Sequence, residues 1–186
     1  AVGGYRLSGI PDGMGAFSLD GDIELVDNHE LGATQGVTRT HGATGAFVSR
    51  WTIDPITLDV LSGRDHNITP NDVYTFDRNN PGWNQGADSW ERLCSGDLPP
   101  VSAFSYLSAG TTSRIFLSGE ETRPPFSPDH GRVYAHVLTG PEANTTWELP
   151  ALGRMAWENA LASPYSQLKT IVVGMDDADR LTDPNQ

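Results

Sequence analysis

The apolar residues of this 186-residue chain fall in short runs, cut at close intervals by its 20 glycines and 13 prolines. No stretch sustains the three-to-four-residue period that an amphipathic helix requires. What recurs instead is a short apolar or alternating segment followed by a turn. Gly15-Ala-Phe-Ser-Leu and Ile23-Glu-Leu-Val flank Asp20-Gly21, a dipeptide that favours a two-residue hairpin turn. Gly45-Ala-Phe-Val-Ser-Arg-Trp-Thr-Ile partly alternates and stops at Asp54-Pro55. Ile115–Ser118, Arg132–Leu138, Thr145–Leu149 and Thr170–Val173 are further strands, and only Met155–Ser163 has a spacing in which helix competes. Residues 64–92 are dense in Asn, Asp, Gly and Pro, and read as a long loop insertion within a single domain spanning 1–186. Many short strands with Gly- and Pro-rich turns define an all-β protein, as a sandwich, a barrel or a propeller.

Several strands end in acid. Ile115-Phe-Leu leads to Glu120-Glu121, Ile171-Val-Val leads to Asp176-Asp177, and Trp157-Glu158-Asn159 follows the Gly153-Arg154 turn. Glu30 likewise follows the strand that begins at Ile23. Strand ends that deliver carboxylates to one place can build a site for a hard cation such as calcium. Acidic residues also solvate loops, and for a single pair that reading stands equally. Repetition favours the first. Glu120 and Glu121 are adjacent, so on a regular strand they point to opposite faces and one of them is expected to approach Glu158.

The charge balance narrows the partners. Twenty-four Asp and Glu against 12 Lys and Arg give a net charge of −12, which argues against a nucleic-acid backbone as ligand. No apolar run approaches the ~18 residues of a membrane span. Cys94 is the only cysteine, so no disulfide can form within the chain. It is either a small buried hydrophobe or a thiolate ligand for a soft metal. His29 alone is more often a hydrogen-bonded structural histidine than a ligand. Arg154 either clamps an oxyanion or braces a neighbouring carboxylate.

Seven motifs occur in a fixed order. They are Gly9-Ile-Pro-Asp-Gly-Met-Gly-Ala, Asp27-Asn-His-Glu-Leu-Gly, Arg39-Thr-His-Gly-Ala-Thr-Gly-Ala-Phe-Val-Ser, Leu93-Cys-Ser-Gly-Asp-Leu-Pro, Gly119-Glu-Glu-Thr, Leu152-Gly-Arg-Met-Ala-Trp-Glu-Asn and Val173-Gly-Met-Asp-Asp. Together they resemble secreted bacterial proteins of the phytase-like group, related to PhoX-type alkaline phosphatases. The resemblance implies a β-propeller, of which this chain is an incomplete portion, with a metal site at one mouth. It implies calcium and iron as cofactors, and a phosphomonoester as substrate. Glu30, Cys94, Glu120, Glu121, Glu158, Asp176 and Asp177 are the metal ligands it implies, with Cys94 on iron, and Arg154 is the catalytic cation. Where the pattern has a histidine before the glutamate, this chain has Trp157, which cannot ligate.

Two functions follow. One is an extracellular or periplasmic metal-dependent phosphoesterase. The other is a non-enzymatic secreted propeller, stabilised by calcium, whose rim binds a surface or a partner.

Overall fold

The computed structural model describes residues 2–122 and 130–177, and they form an all-β protein. Strands β1 (Pro11–Leu19), β2 (Asp22–His29), β3 (Phe47–Ile53) and β4 (Val60–Asp65) make an up-and-down antiparallel sheet in that order. Asp20 and Gly21 both have positive φ, at 53° and 98°, the conformation a type I′ hairpin needs. Glu24, on β2, turns away from solvent and pairs with Arg50, whose guanidinium also reaches Leu138 O.

The second sheet contains β5 (Val73–Asp77), β6 (Gly82–Gln85), β7 (Leu93–Asp97), β10 (Ile115–Glu120), β11 (Val133–Val137) and β12 (Thr146–Glu148), in the order β6-β5-β12-β11-β10-β7. A short hairpin, β8 (Ser105–Tyr106) and β9 (Ala109–Gly110), lies between β7 and β10 in the chain. The third sheet is the pair β13 (Trp157–Ala162) and β14 (Val172–Asp176). Among the described residues these sheets close into neither a barrel nor a propeller.

Two expectations are corrected. Residues 64–92 are not a loop insertion, because β5 and β6 lie within them and extend the second sheet beyond β12. Aromatic contacts hold that hairpin: Tyr74 stacks on Trp147 at 3.8 Å, and Trp83 meets Trp147 edge-on at 5.0 Å. Its dense Asn and Asp residues are turn chemistry, with Asp77 accepting from Asn79 N and Asn80 N. Residues 157–162 are strand, not helix. A bulge between Trp157 and Asn159 puts Trp157 and Ala160 on the same buried side, which imitates helical spacing.

The first two sheets enclose the main core, where Phe17, Val26 and Val48 meet Trp90, Leu93, Phe116, Tyr134 and Leu138. A smaller core joins the second sheet to the third through Val133, Trp157 and Ala160. Four histidines are fully buried. Burial holds His29 and His41 down to about 4 and His66 down to about 3, and it lowers His136 well below 6.5. These groups are neutral when folded and bind protons in the unfolded chain below pH ~6.5. Their stabilising contribution is therefore complete above that pH and is lost as pH falls towards 4. Asp27, raised to about 7 by burial and then by the charge of Asp12, acts in the opposite sense, as do Asp12, Asp88, Asp97 and Glu121, which burial also raises. The urea midpoint of the native chain minus that of His66→Gln is expected to shrink as pH falls from about 6.5 to 4.5, because only the native chain loses this histidine's contribution. A difference that stays constant over this range would remove His66 as the cause.

Candidate metal centre

Edge strands of the three sheets lie side by side, β1 against β7 and β7 against β13. Glycine makes the first of these contacts so close: a Cβ on Gly13 would overlap Gly96 N and Ser95 C of β7. One buried side chain then ties three strands together. Asn28, on β2, accepts from Gly13 N at 2.7 Å and donates to Ser95 O at 2.6 Å. The residues flanking these clamp points, Asp12 on β1 and Cys94 on β7, are thereby brought together.

A repeated rule supplies the donors. Each sheet places one side chain from an edge strand at the common end, namely Asp12, Cys94 and Glu158. The first two sheets add a carboxylate just beyond the adjoining strand, Glu30 after β2 and Glu121 after β10. Ligand atoms of Asp12, Glu30 and Cys94 all lie within 4.8 Å of one another, and so do those of Cys94, Glu121 and Glu158. The thiol is common to both sets, with Cys94 Sγ 3.7 Å from Asp12 Oδ2 and 3.6 Å from Glu158 Oε2. In the third sheet Asp177 follows β14 and reaches Glu121. Asp176 Oδ1 accepts from Ala156 N at 3.2 Å. Backbone bonds lace this rim, running from Glu30 N to Ile10 O, Arg92 N to Leu31 O, Glu121 N to Arg92 O and Asp177 N to Ala156 O.

Arg92 spans the carboxylates. It donates to Glu30 Oε1 through Nε and Nη2, and to Glu121 Oε2 through Nη2 at 2.7 Å. Two residues with positive φ stand at matching places, Ile10 (54°) two before Asp12 and Arg92 (51°) two before Cys94. Such backbone is uncommon outside glycine and persists where the surroundings enforce it.

The electrostatics favour a cation. The Cys94 thiol is pushed far up, first by burial, then by its hydrogen bond to Glu121 and by the charges of Asp12, Glu121 and Glu158. Burial raises Asp12, with Glu30 adding to it, and burial also raises Glu121. A bound cation would reverse each of these shifts by stabilising the charged forms. Carboxylates of this kind can hold a hard cation such as calcium, and a deprotonated thiol can hold a softer metal.

The residues expected from sequence divide accordingly. Glu30, Cys94, Glu121 and Glu158 converge, and Asp177 adjoins them. Glu120 does not: it is turned to the opposite side, where it accepts from Glu91 N, from Arg132 N and Nε, and pairs with His130. Adjacent residues at a strand end face opposite ways, so Glu120 neutralises Arg132 while Glu121 meets the thiol. Arg154 lines a different cleft, together with Arg78, Arg132 and Glu148. His29 is structural, stacked on Phe47 at 4.0 Å and bonded to Ser49 Oγ. Sequence reasoning missed Asp12, Arg92 and Asn28. Asp12 was concealed in a Gly-Pro turn motif, although it precedes a glycine that marks close backbone approach.

Searches of protein-family models, curated proteins and solved structures return no match.

Proposed function

We propose that the chain carries the metal centre of a phosphomonoester hydrolase, with calcium held by the carboxylates and iron by Cys94. The observation that carries this reading is the shared thiol: three sheets deliver Asp12, Glu30, Glu121 and Glu158 around one sulfur. The side-by-side edge strands and the meandering order of the first sheet support reading the sheets as successive blades of a β-propeller, with the centre at its mouth. Metal bound there would polarise a phosphoryl oxygen and lower the pKa of a coordinated water. Arg92 is the cation of this chain that stands at the centre. Its side chain is 33% exposed, so an edge of the guanidinium remains open to a phosphoryl oxygen while its carboxylate partners fix its orientation.

The second reading, a calcium-stabilised binding protein without catalysis, draws on the same residue. Arg92 already holds two carboxylates, and an arginine engaged in this way can order a rim instead of stabilising a transition state.

Elemental analysis of purified protein, run beside an aryl phosphomonoester assay, separates these readings. Iron with calcium and measurable hydrolysis supports the enzyme. Calcium alone, without hydrolysis, supports the binding protein. In either case, stripping metal with chelator is expected to lower Tm by several degrees, because a ligand bound only to the native state stabilises it by mass action. A melt unchanged after metal is shown to be gone would remove the centre from both.

A further inference from the structure

The outer face of the first sheet, turned away from the main core, carries a buried acid that the proposed centre does not use. Asp27, on β2, is 1% exposed, and neither of its carboxylate oxygens has a hydrogen-bond partner among the described residues. The nearest basic atom is His29 Nε2, 3.7 Å from Oδ2. That nitrogen is already engaged with Ser49 Oγ at 3.0 Å. A buried carboxylate with no donor is costly, and native proteins rarely leave one so.

Asp27 is one of the residues lining a groove of about 300 Å³, and the others are Val2, Leu7, Met14, Leu25, Trp51, Ile53 and Val60. The register accounts for this lining. Leu25 and Asp27 share a face because side chains alternate along β2, while Val26 turns into the core. Trp51 is fixed beside them by its Nε1 bond to Ser49 Oγ at 2.9 Å and by edge-on contact with Tyr5 at 5.2 Å. The groove therefore has apolar walls, a rigid aromatic side and a single polar group that can only accept a hydrogen bond when ionised. Small-molecule sites have this composition, and the volume is at the lower end of their range.

We propose that this groove binds a small organic ammonium ion with an apolar body. The body fills the space among Met14, Trp51, Ile53 and Val60, and the N–H groups satisfy Asp27. Charge complementarity selects this class. A neutral hydrocarbon would leave the carboxylate unsatisfied, and an anion would be repelled by Asp27 and by the chain's net charge of −12. A strongly hydrated inorganic cation would meet one carboxylate and no further oxygen ligands from the lining residues, too few for calcium.

The test is a calorimetric titration of the whole metal-loaded protein with phenethylamine, and separately with 2-phenylethanol, which has the same shape but lacks the charge. Saturable one-to-one binding of the amine at about 1 mM or tighter is expected, with the alcohol at least ~10-fold weaker. Asp27→Asn should abolish that preference for the amine. Its Tm should equal or exceed that of the native chain, since an unpartnered buried charge has been removed, and so certify that the fold survives. Val60→Trp, on the edge strand, should block both probes by filling the groove. Absence of saturable binding overturns the proposal, as does equal affinity for the two probes in the native chain. Undiminished amine binding in Asp27→Asn overturns it too. Self-association that excludes the amine does the same, by assigning the face to a second copy of the chain.

Discussion

On the proposed function, Cys94→Ser is expected to eliminate bound iron and to reduce phosphomonoester hydrolysis by at least ~100-fold, with calcium retained and the fold within about 1 kcal/mol of native. The argument rests on what the sulfur touches. Its neighbours are the oxygens of Asp12, Glu121 and Glu158, all acceptors when ionised. A serine hydroxyl can donate to one of them, so no buried group loses a partner. The hydroxyl does not, however, become a ligand anion at neutral pH, whereas a thiol on a soft or borderline metal does. Carboxylates from three sheets remain for calcium. The substitution therefore separates the two metals, and the readouts are the iron-to-calcium ratio and the Tm of the same sample. Full iron occupancy in the serine variant would place iron elsewhere. Loss of both metals together would show that the thiol organises the whole centre.

Which parts of this arrangement were legible in sequence follows from the range of the signals. Strand content was readable because it is local: the alternation around Phe47, the Asp20-Gly21 turn and the Pro55 break each act within a few residues. Residues 64–92 were not readable as strands, because their hairpin is held by Tyr74 and Trp83 packing on Trp147, far along the chain. Glu121 and Glu158 could be grouped in advance, since acids at successive strand ends gather at one rim. Choosing Glu121 over Glu120 needed the register of β10 against β11, where Arg132 claims the neighbour. Arg92 gave no local sign of its role. It lies in a segment whose helical and extended readings are alike in composition, and its two partners are 62 and 29 residues away. Arg154, beside a glycine turn and near Glu158 in sequence, is turned instead into the cleft with Arg132.

Gly13→Ala is expected to be the most damaging single-methyl change in the first sheet, costing roughly 3–5 kcal/mol and most of the metal affinity. The added Cβ meets backbone atoms of Ser95 and Gly96, which cannot rotate away as a side chain would. Relief therefore requires β1 and β7 to separate. Separation stretches both hydrogen bonds of Asn28, whose amide lies between Gly13 N and Ser95 O and has no water to turn to. Each buried group left unsatisfied costs about 1–3 kcal/mol beyond the overpacking itself. It also moves Asp12 away from Cys94, so the first donor set opens even in molecules that remain folded. Gly21→Ala is the matched control. Gly21 has positive φ and no atom within 4 Å of its would-be Cβ, so only backbone strain is added there, about 1 kcal/mol. Urea denaturation of the two variants, with metal content measured in each, gives the comparison. If both lose the same stability, the β1–β7 contact is not a close backbone approach, and the alignment of Asp12 with Cys94 must come from the rim hydrogen bonds instead. If Gly13→Ala alone loses stability and metal together, the glycine contact is what sets the distance between the first two donors.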